Sequence, residues 1–162
     1  MARPRTQAWR SSPFREELRA VYARVDATLA GYSCDASTEC CRFGITGREP
    51  YVTPVELAEI EHGIAARGLP AQTKPSPRSL PVVDDERRCP LLDDSGRCRV
   101  YDSRPLGCRT FFCDRSLHSM KAEMKRFPRD ELNRAARDIA DLAARYAPRD
   151  PGARPFTRAL KR

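Results

Sequence analysis

Histidine and lysine are scarce in this chain. It has two His, and only four of its 30 basic residues are Lys; the other 26 are Arg. Aromatic residues make up 7% and do not interleave with the arginines, which argues against the basic, base-stacking surface of a nucleic-acid binder. No run is long and apolar enough to span a bilayer, so no membrane is expected as a partner. No Gly-rich loop follows a strand, so neither a nucleotide nor a methyl-donor motif is present. Cys-x2-Cys pairs are missing too, and that counts against a simple zinc ribbon or finger. The opening residues 1–10 carry neither an apolar core nor a cleavage site, so the expected compartment is the cytoplasm, where thiols stay reduced.

What the chain does have is seven cysteines in two groups: Cys34, Cys40 and Cys41, then Cys89, Cys98, Cys108 and Cys113. An odd number disfavours complete disulfide pairing, and reduced clustered thiols point to metal binding. All seven form the candidate ligand pool. The spacing is Cys-x5-Cys-Cys, a long gap, then Cys-x8-Cys-x9-Cys-x4-Cys. Four thiolates suffice for either an iron–sulfur cluster or a zinc ion, and both favour sulfur donors. Cys40 and Cys41 are adjacent, and on a regular strand or helix their side chains diverge. One is therefore expected as a ligand with a buried neighbour, or each serves a different centre.

The length of 162 residues fits one domain with a modest core, given a charged fraction of 32%. The net charge of +8 resides on the flanks. Residues 1–33 carry six Arg against three acids, residues 34–113 eleven basic against twelve acidic, and residues 114–162 thirteen against seven. The cysteine region itself is not basic.

The pattern along the chain predicts a mainly α, helix-rich domain over residues 14–147. Irregular cysteine-bearing loops and a short β-hairpin would surround the metal site. Basic tails are expected at 1–13 and 148–162. Leu18, Val21, Tyr22, Val25 and Leu29 recur at helical spacing from Phe14 to about Leu29. Thr53-Pro54-Val55-Glu56 is a capping box with Pro at the first helical position, and Gly68 is the expected stop. Residues 69–81 hold four prolines and read as a linker. Asp93-Asp94-Ser95-Gly96 predicts a hairpin turn in which positions 92 and 97 pair, placing Cys89 and Cys98 on one face. Asp114 or Ser116 caps a helix to about Arg126. A last amphipathic helix starts near Asp130, with the stripe Leu132, Ala135, Ala136, Ile139, Leu142, Ala143 and Tyr146.

Two stretches, Arg88-Cys89-Pro90-Leu91-Leu92 and Gly96-Arg97-Cys98-Arg99-Val100-Tyr101-Asp102-Ser103-Arg104-Pro105-Leu106-Gly107-Cys108-Arg109-Thr110-Phe111-Phe112-Cys113, carry a resemblance. The elements Cys-Pro-x-Leu, Gly-x-Cys-x-Val-Tyr-x-x-Arg-Pro and Cys-Arg-x-Phe resemble the signature of the YkgJ-like cysteine-cluster family of zinc- or iron-chelating domains. The likeness covers about residues 34–113. The family's first block is similar to Cys-x2-Cys-x2-Cys-Cys, and this chain departs from it with Ser37 at the second position. Related cysteine clusters occur in flagellin lysine methylases, which implies that iron–sulfur chemistry is open to such a site.

The remaining candidates have plainer readings. Arg104 and Arg109 could hydrogen-bond a cluster or an anion, against ordinary salt bridging. His118 reads as a surface helix residue before it reads as a ligand, and His62 as structural. Asp84-Asp85-Glu86 and Asp93-Asp94 read as solvated turns. The expected function is a metal-binding cysteine-cluster protein holding an iron–sulfur cluster, with zinc as the alternative cofactor. One alternative role is an iron–sulfur redox enzyme or oxidoreductase component. The other is a structural zinc module that binds a protein or, less in keeping with the charge pattern, a nucleic acid. Whether the chain is an enzyme, and what partner it meets, the residues leave open.

Overall fold

A computed structural model describes residues 8–32, 39–69, 87–111 and 127–160. The architecture is mainly helical, with one small antiparallel pair of strands. Cys34, Ser37, Cys113, His118, Asp84-Asp85-Glu86, most of the Pro-rich linker and the helix expected up to Arg126 lie outside the described residues.

Helix α1 (Pro13–Thr28) starts on an extended Ser12 with Pro13 in its first turn, where the missing N–H costs nothing. Leu18, Val21, Tyr22 and Val25 form its buried face. Residues 8–10 are helical and precede it. Two further helices flank the 3₁₀ turn Glu39–Cys41 and the strand region: α2 (Phe43–Thr46) and α3 (Pro54–Ala66). The capping box at Thr53 is present, with Glu56 accepting the Thr53 backbone N–H at 2.9 Å. Gly68 follows the end of α3 with φ 62, a left-handed conformation that glycine adopts without strain. A second 3₁₀ turn, Tyr101–Ser103, leads into the short helix α4 (Leu106–Arg109). Helix α5 (Arg129–Tyr146) carries Asp130 and Glu131 in its first turn and Arg145 in its last, complementing the helix dipole at both ends. It buries Ala135, Ile139, Leu142 and Ala143; Ala136, expected on that stripe, is exposed. Helix α6 (Phe156–Leu160) ends the described chain. Among the described residues no helix is long and apolar enough to cross a membrane.

Two apolar clusters share α3. The first joins α1 and α5 through Leu18, Val21, Val25, Ile139 and Leu142, and Val55 of α3 enters it. Trp9 belongs to this cluster, its ring edge-on to Tyr146 at 5.4 Å. The second gathers Phe43, Val52, Ile60, Ile64, Leu91, Val100, Phe156 and Ala159, and Cys89 and Cys98 pack against it. Helix α3 is thus the wall between a helical bundle and the cysteine-bearing half.

The structure corrects three expectations. The segment expected as a loose C-terminal tail is packed: β2 (Arg154–Pro155) pairs antiparallel with β1 (Tyr51–Val52), and Phe156 is 2% exposed. The apolar pair Phe156 and Ala159 is too short to read as periodic, so only the tertiary contact reveals it. The expected N-terminal tail likewise contributes the buried Trp9. The hairpin at Asp93–Gly96 forms in another register. Leu92, not opposite 97, bridges Cys98, because the Asp93 carboxylate accepts the Arg97 N–H at 2.8 Å and closes a longer turn. The bridge is isolated, so strand alternation does not set the direction of Cys89.

Candidate metal centre

Backbone pairing between distant segments brings the cysteines together. The Glu39–Cys41 turn lies beside residues 87–89: the Cys89 N–H donates to the Cys41 carbonyl at 2.7 Å, the Phe43 N–H donates to that of Arg87 at 3.2 Å, and Arg42 bridges Arg88. Cys89 then opens a turn closed by the Leu92 N–H on its own carbonyl at 3.1 Å. Cys98 follows at the Leu92 bridge, and Gly96, at φ 77, permits the reversal between them.

Cys108 arrives on α4. The Leu106 N–H at the start of that helix donates to Glu56 at 2.8 Å. Gly107 lets α4 approach the Pro50 ring, since a Cβ there would lie 3.0 Å from the Pro50 Cβ. Arg109 fixes the far end. Its Nη1 donates to both oxygens of Asp26, its Nη2 to the Asp102 carbonyl at 2.7 Å and its Nε to the Arg104 carbonyl at 2.8 Å, and the guanidinium lies over the Tyr22 ring. Of the two arginines weighed from the sequence, Arg109 therefore serves as a structural fork.

Cys40, Cys41, Cys89, Cys98 and Cys108 all line one cavity of about 1540 Å³. The Sγ atoms of Cys40 and Cys41 stand 3.9 Å apart. This differs from the expected divergence: both residues lie in a single 3₁₀ turn, which is neither a regular strand nor a regular α-helix. Metal–sulfur bonds of ~2.3 Å in a tetrahedron place sulfurs about 3.8 Å apart, so this pair has the spacing of one tetrahedral edge. Among the described residues no group of three or more His, Cys, Asp or Glu is gathered closely enough to hold one ion. The described sulfurs border a cavity, and Cys34 and Cys113 lie outside the description. His62 does not line the cavity. Asp93 accepts from the Ser95 hydroxyl and the Arg97 N–H, as a solvated turn residue does.

The electrostatics fit a cation-binding set. Cys40 is lowered to about 7, first by the hydrogen bond it shares with the Cys41 thiol, against burial and with help from the Arg104 charge. Cys41 is pushed far up by the hydrogen bond shared with Cys40, then by burial and by the charges of Cys40, Cys89 and Cys108. Burial raises Cys89 to about 12, with the charges of Cys98 and Cys40 adding to it. Burial also raises Cys98 and Cys108, and Cys108 feels Cys89, Cys98 and Cys40 as well. Five half-buried thiols thus sense one another, and neighbouring thiolates repel unless a cation sits among them. The donor type and the Cys40–Cys41 spacing fit a thiophilic metal.

Several supporting residues were missed from the sequence. Glu59 is fully buried and accepts from Trp9 Nε1 at 2.9 Å and Arg15 Nε at 2.8 Å, while Ser103 Oγ approaches at 3.5 Å. Glu56, 3% exposed, accepts from Tyr22 Oη at 3.3 Å as well as from Leu106. A signal did exist. Glu59 stands four residues after Val55, and Glu56 four before Ile60, so both acids lie in line with core positions, where a carboxylate needs partners.

Residues 33–131 match a family named CxxCxxCC and described as "Putative zinc- or iron-chelating domain". No curated protein and no solved structure matches the chain. With well over half of its length inside the match, including all seven cysteines, this chain belongs to the CxxCxxCC family.

Proposed function

We propose that this protein is a metal-binding module whose thiolates, drawn from Cys34, Cys40, Cys41, Cys89, Cys98, Cys108 and Cys113, hold an iron–sulfur cluster. The observation that carries the reading is that five cysteines from four chain segments line one cavity. A cluster larger than a single ion draws its ligands from such scattered segments. The space beside the sulfurs would admit a small substrate or redox partner, which supports an oxidoreductase role over a closed structural site. A reducing compartment such as the cytoplasm suits thiols that must stay available.

A second reading, a single zinc ion, is favoured by one observation: the 3.9 Å separation of Cys40 and Cys41, the edge of a tetrahedral site. Binding of nucleic acid finds less support. Arginines of the described flanks pair with acids, Arg24 with Asp138, Arg145 with Glu17 and Arg154 with Asp150, and so present mixed charge.

The test is anaerobic purification followed by metal and acid-labile sulfide analysis and a visible absorption spectrum. Iron with matching sulfide and a broad absorption in the blue supports the cluster. Stoichiometric zinc without colour moves the assignment to the second reading. Absence of both metals after purification, and no uptake of either on reconstitution, overturns the metal-binding proposal.

A further inference from the structure

Two of the cysteines are neighbours in the chain, and their side chains meet. The Sγ atoms of Cys40 and Cys41 lie 3.9 Å apart, and among the described residues no other pair of cysteines makes a thiol–thiol hydrogen bond. Both belong to the 3₁₀ turn Glu39–Cys41, none of whose residues is buried. The backbone is pinned where it leaves this turn: the Cys41 carbonyl accepts the Cys89 N–H at 2.7 Å, and Arg42 bridges Arg88. The two side chains themselves belong to neither apolar cluster, whereas Cys89 and Cys98 pack against the second. The sulfurs of the pair can therefore move without unpacking a core.

A disulfide holds its sulfurs about 2.0 Å apart, so this pair must close by about 2 Å, within reach of side-chain rotation. Adjacent Cα atoms across a trans peptide stand about 3.8 Å apart, below the roughly 4.4–6.8 Å usual for bridged cysteines. A ring closed there is strained and readily reduced, which suits a reversible bond and not a structural staple. The thiols are half-buried yet reachable. They line the cavity together with Arg48, Arg87, Arg97 and Tyr101, all four exposed, so the space beside the sulfurs opens to solvent. The three arginines favour a reagent that carries negative charge.

We propose that Cys40 and Cys41 are a redox dithiol that closes to a reversible disulfide by exchange with an anionic low-molecular-weight disulfide. One thiolate of the pair attacks a sulfur of the reagent and expels the other half as a thiolate. The second protein thiol gives its proton to water and attacks the Sγ that now carries the reagent. The Cys40–Cys41 bond forms, and the remaining half leaves. The chain loses two electrons and two protons, and the reagent takes them up as two thiols. This oxidation needs no metal. One consequence does rest on the metal-centre reading above: sulfurs joined in a disulfide no longer serve as thiolate donors, so oxidation of the pair and loading of the site exclude each other.

The test exposes the full chain, stripped of metal by a chelator, to oxidised glutathione without air and then alkylates the remaining thiols. Cleavage after glutamate isolates residues 40–49, which hold Cys40 and Cys41 and no other cysteine. Mass spectrometry is expected to find this peptide unalkylated and lighter by two hydrogens, and dithiothreitol to return it to the dialkylated form. The folded chain should close this pair about 10-fold faster than any other, because the fold already holds the two sulfurs in contact. In urea that preference is expected to vanish, with disulfides spread over other pairs. The proposal is overturned by a peptide that stays reduced, that keeps glutathione without closing, that joins another cysteine, or that closes as readily in urea. Zn²⁺ bound beforehand is expected to block closure, and a chain that takes up Zn²⁺ yet closes at the same rate overturns the exclusion. If the chain takes up neither Zn²⁺ nor Fe²⁺ with sulfide, the metal reading fails, whereas closure of the pair in the metal-free chain still stands.

Discussion

The Glu56 carboxylate accepts the backbone N–H of Leu106 at 2.8 Å, so the helix that delivers Cys108 begins on a side chain of α3. The same carboxylate closes the capping box at Thr53 and accepts the Tyr22 hydroxyl. One buried acid thereby joins α1, α3 and α4. Glu56→Ala leaves four donors without their partner, the Thr53 hydroxyl among them, and is expected to cost about 2–4 kcal/mol in urea unfolding. Thr53→Ala removes only a hydroxyl contact and is expected to cost about 1 kcal/mol.

Gly63 is where α3 meets the 3₁₀ turn before Arg104. A Cβ at this position would lie 2.7 Å from Ser103 Oγ and 2.9 Å from its Cβ. Gly63→Ala therefore pushes the turn away despite the better helix propensity of alanine, and is expected to cost about 1–3 kcal/mol. Adding Ser103→Gly restores the space. If the double variant is no more stable than Gly63→Ala alone, the contact is not the cause.

Trp9 is the sole tryptophan of the chain, and it donates to the buried Glu59. Glu59→Gln keeps the shape but removes the charge facing Arg15 and Arg19, which are themselves partly solvated. The expected loss is about 1–3 kcal/mol, with a red shift of tryptophan emission as Trp9 loosens. An unchanged emission spectrum would show that Trp9 stays docked by packing on Tyr146 alone.

Phe156 is 2% exposed in the cluster against which Cys89 and Cys98 pack. Phe156→Ala is expected to cost about 3–5 kcal/mol and to lower metal occupancy, although the residue lies far from any cysteine in sequence. Thermal unfolding together with the metal content of the purified variant checks both parts.

The thiols should differ sharply in reactivity before metal is added. The hydrogen bond shared with Cys41 lowers Cys40 to about 7, whereas burial raises Cys89 to about 12. Alkylation of the metal-free chain, followed by mass spectrometry, should mark Cys40 first, at a rate rising through pH 7 and levelling above it. Metal uptake should follow pH in the same direction. The raised thiols Cys89, Cys98 and Cys108 must release protons to bind, so apparent Zn²⁺ affinity climbs as pH rises.

The three long helices, α1, α3 and α5, were legible because their signals are local. The spacing of Leu18, Val21, Tyr22, Val25 and Leu29, the Thr53 capping box, Gly68 and most of the α5 stripe are local patterns, and each sits close to where the residues put it. The family resemblance was legible from the Cys98–Cys108 stretch, and the match over residues 33–131 agrees with it. What could not be read is what long-range pairing decides. The Arg42–Arg88 bridge joins segments 46 positions apart and sets Cys89 beside Cys41. The β1–β2 pair joins residues a hundred positions apart and turns an expected tail into core. The hairpin register failed for a smaller reason: a side-chain cap on Asp93 lengthened the turn by one residue, and one residue reverses every face.

The seating of residues 154–160 against β1 and the cysteine-bearing half also fixes an order of events during synthesis. A chain made from its N-terminus presents Cys40 and Cys41 long before Cys89, Cys98 and Cys108 exist, and the wall behind Cys89 and Cys98 stays unfinished until Phe156 and Ala159 have been added. Such distant contacts form late, because the intervening chain must be closed first. A nascent chain that ends before Cys89 carries only Cys34, Cys40 and Cys41, three of the seven thiols. The full set of seven thiols exists only once Cys113 has been added, and the wall behind Cys89 and Cys98 only once residues 154–160 are seated.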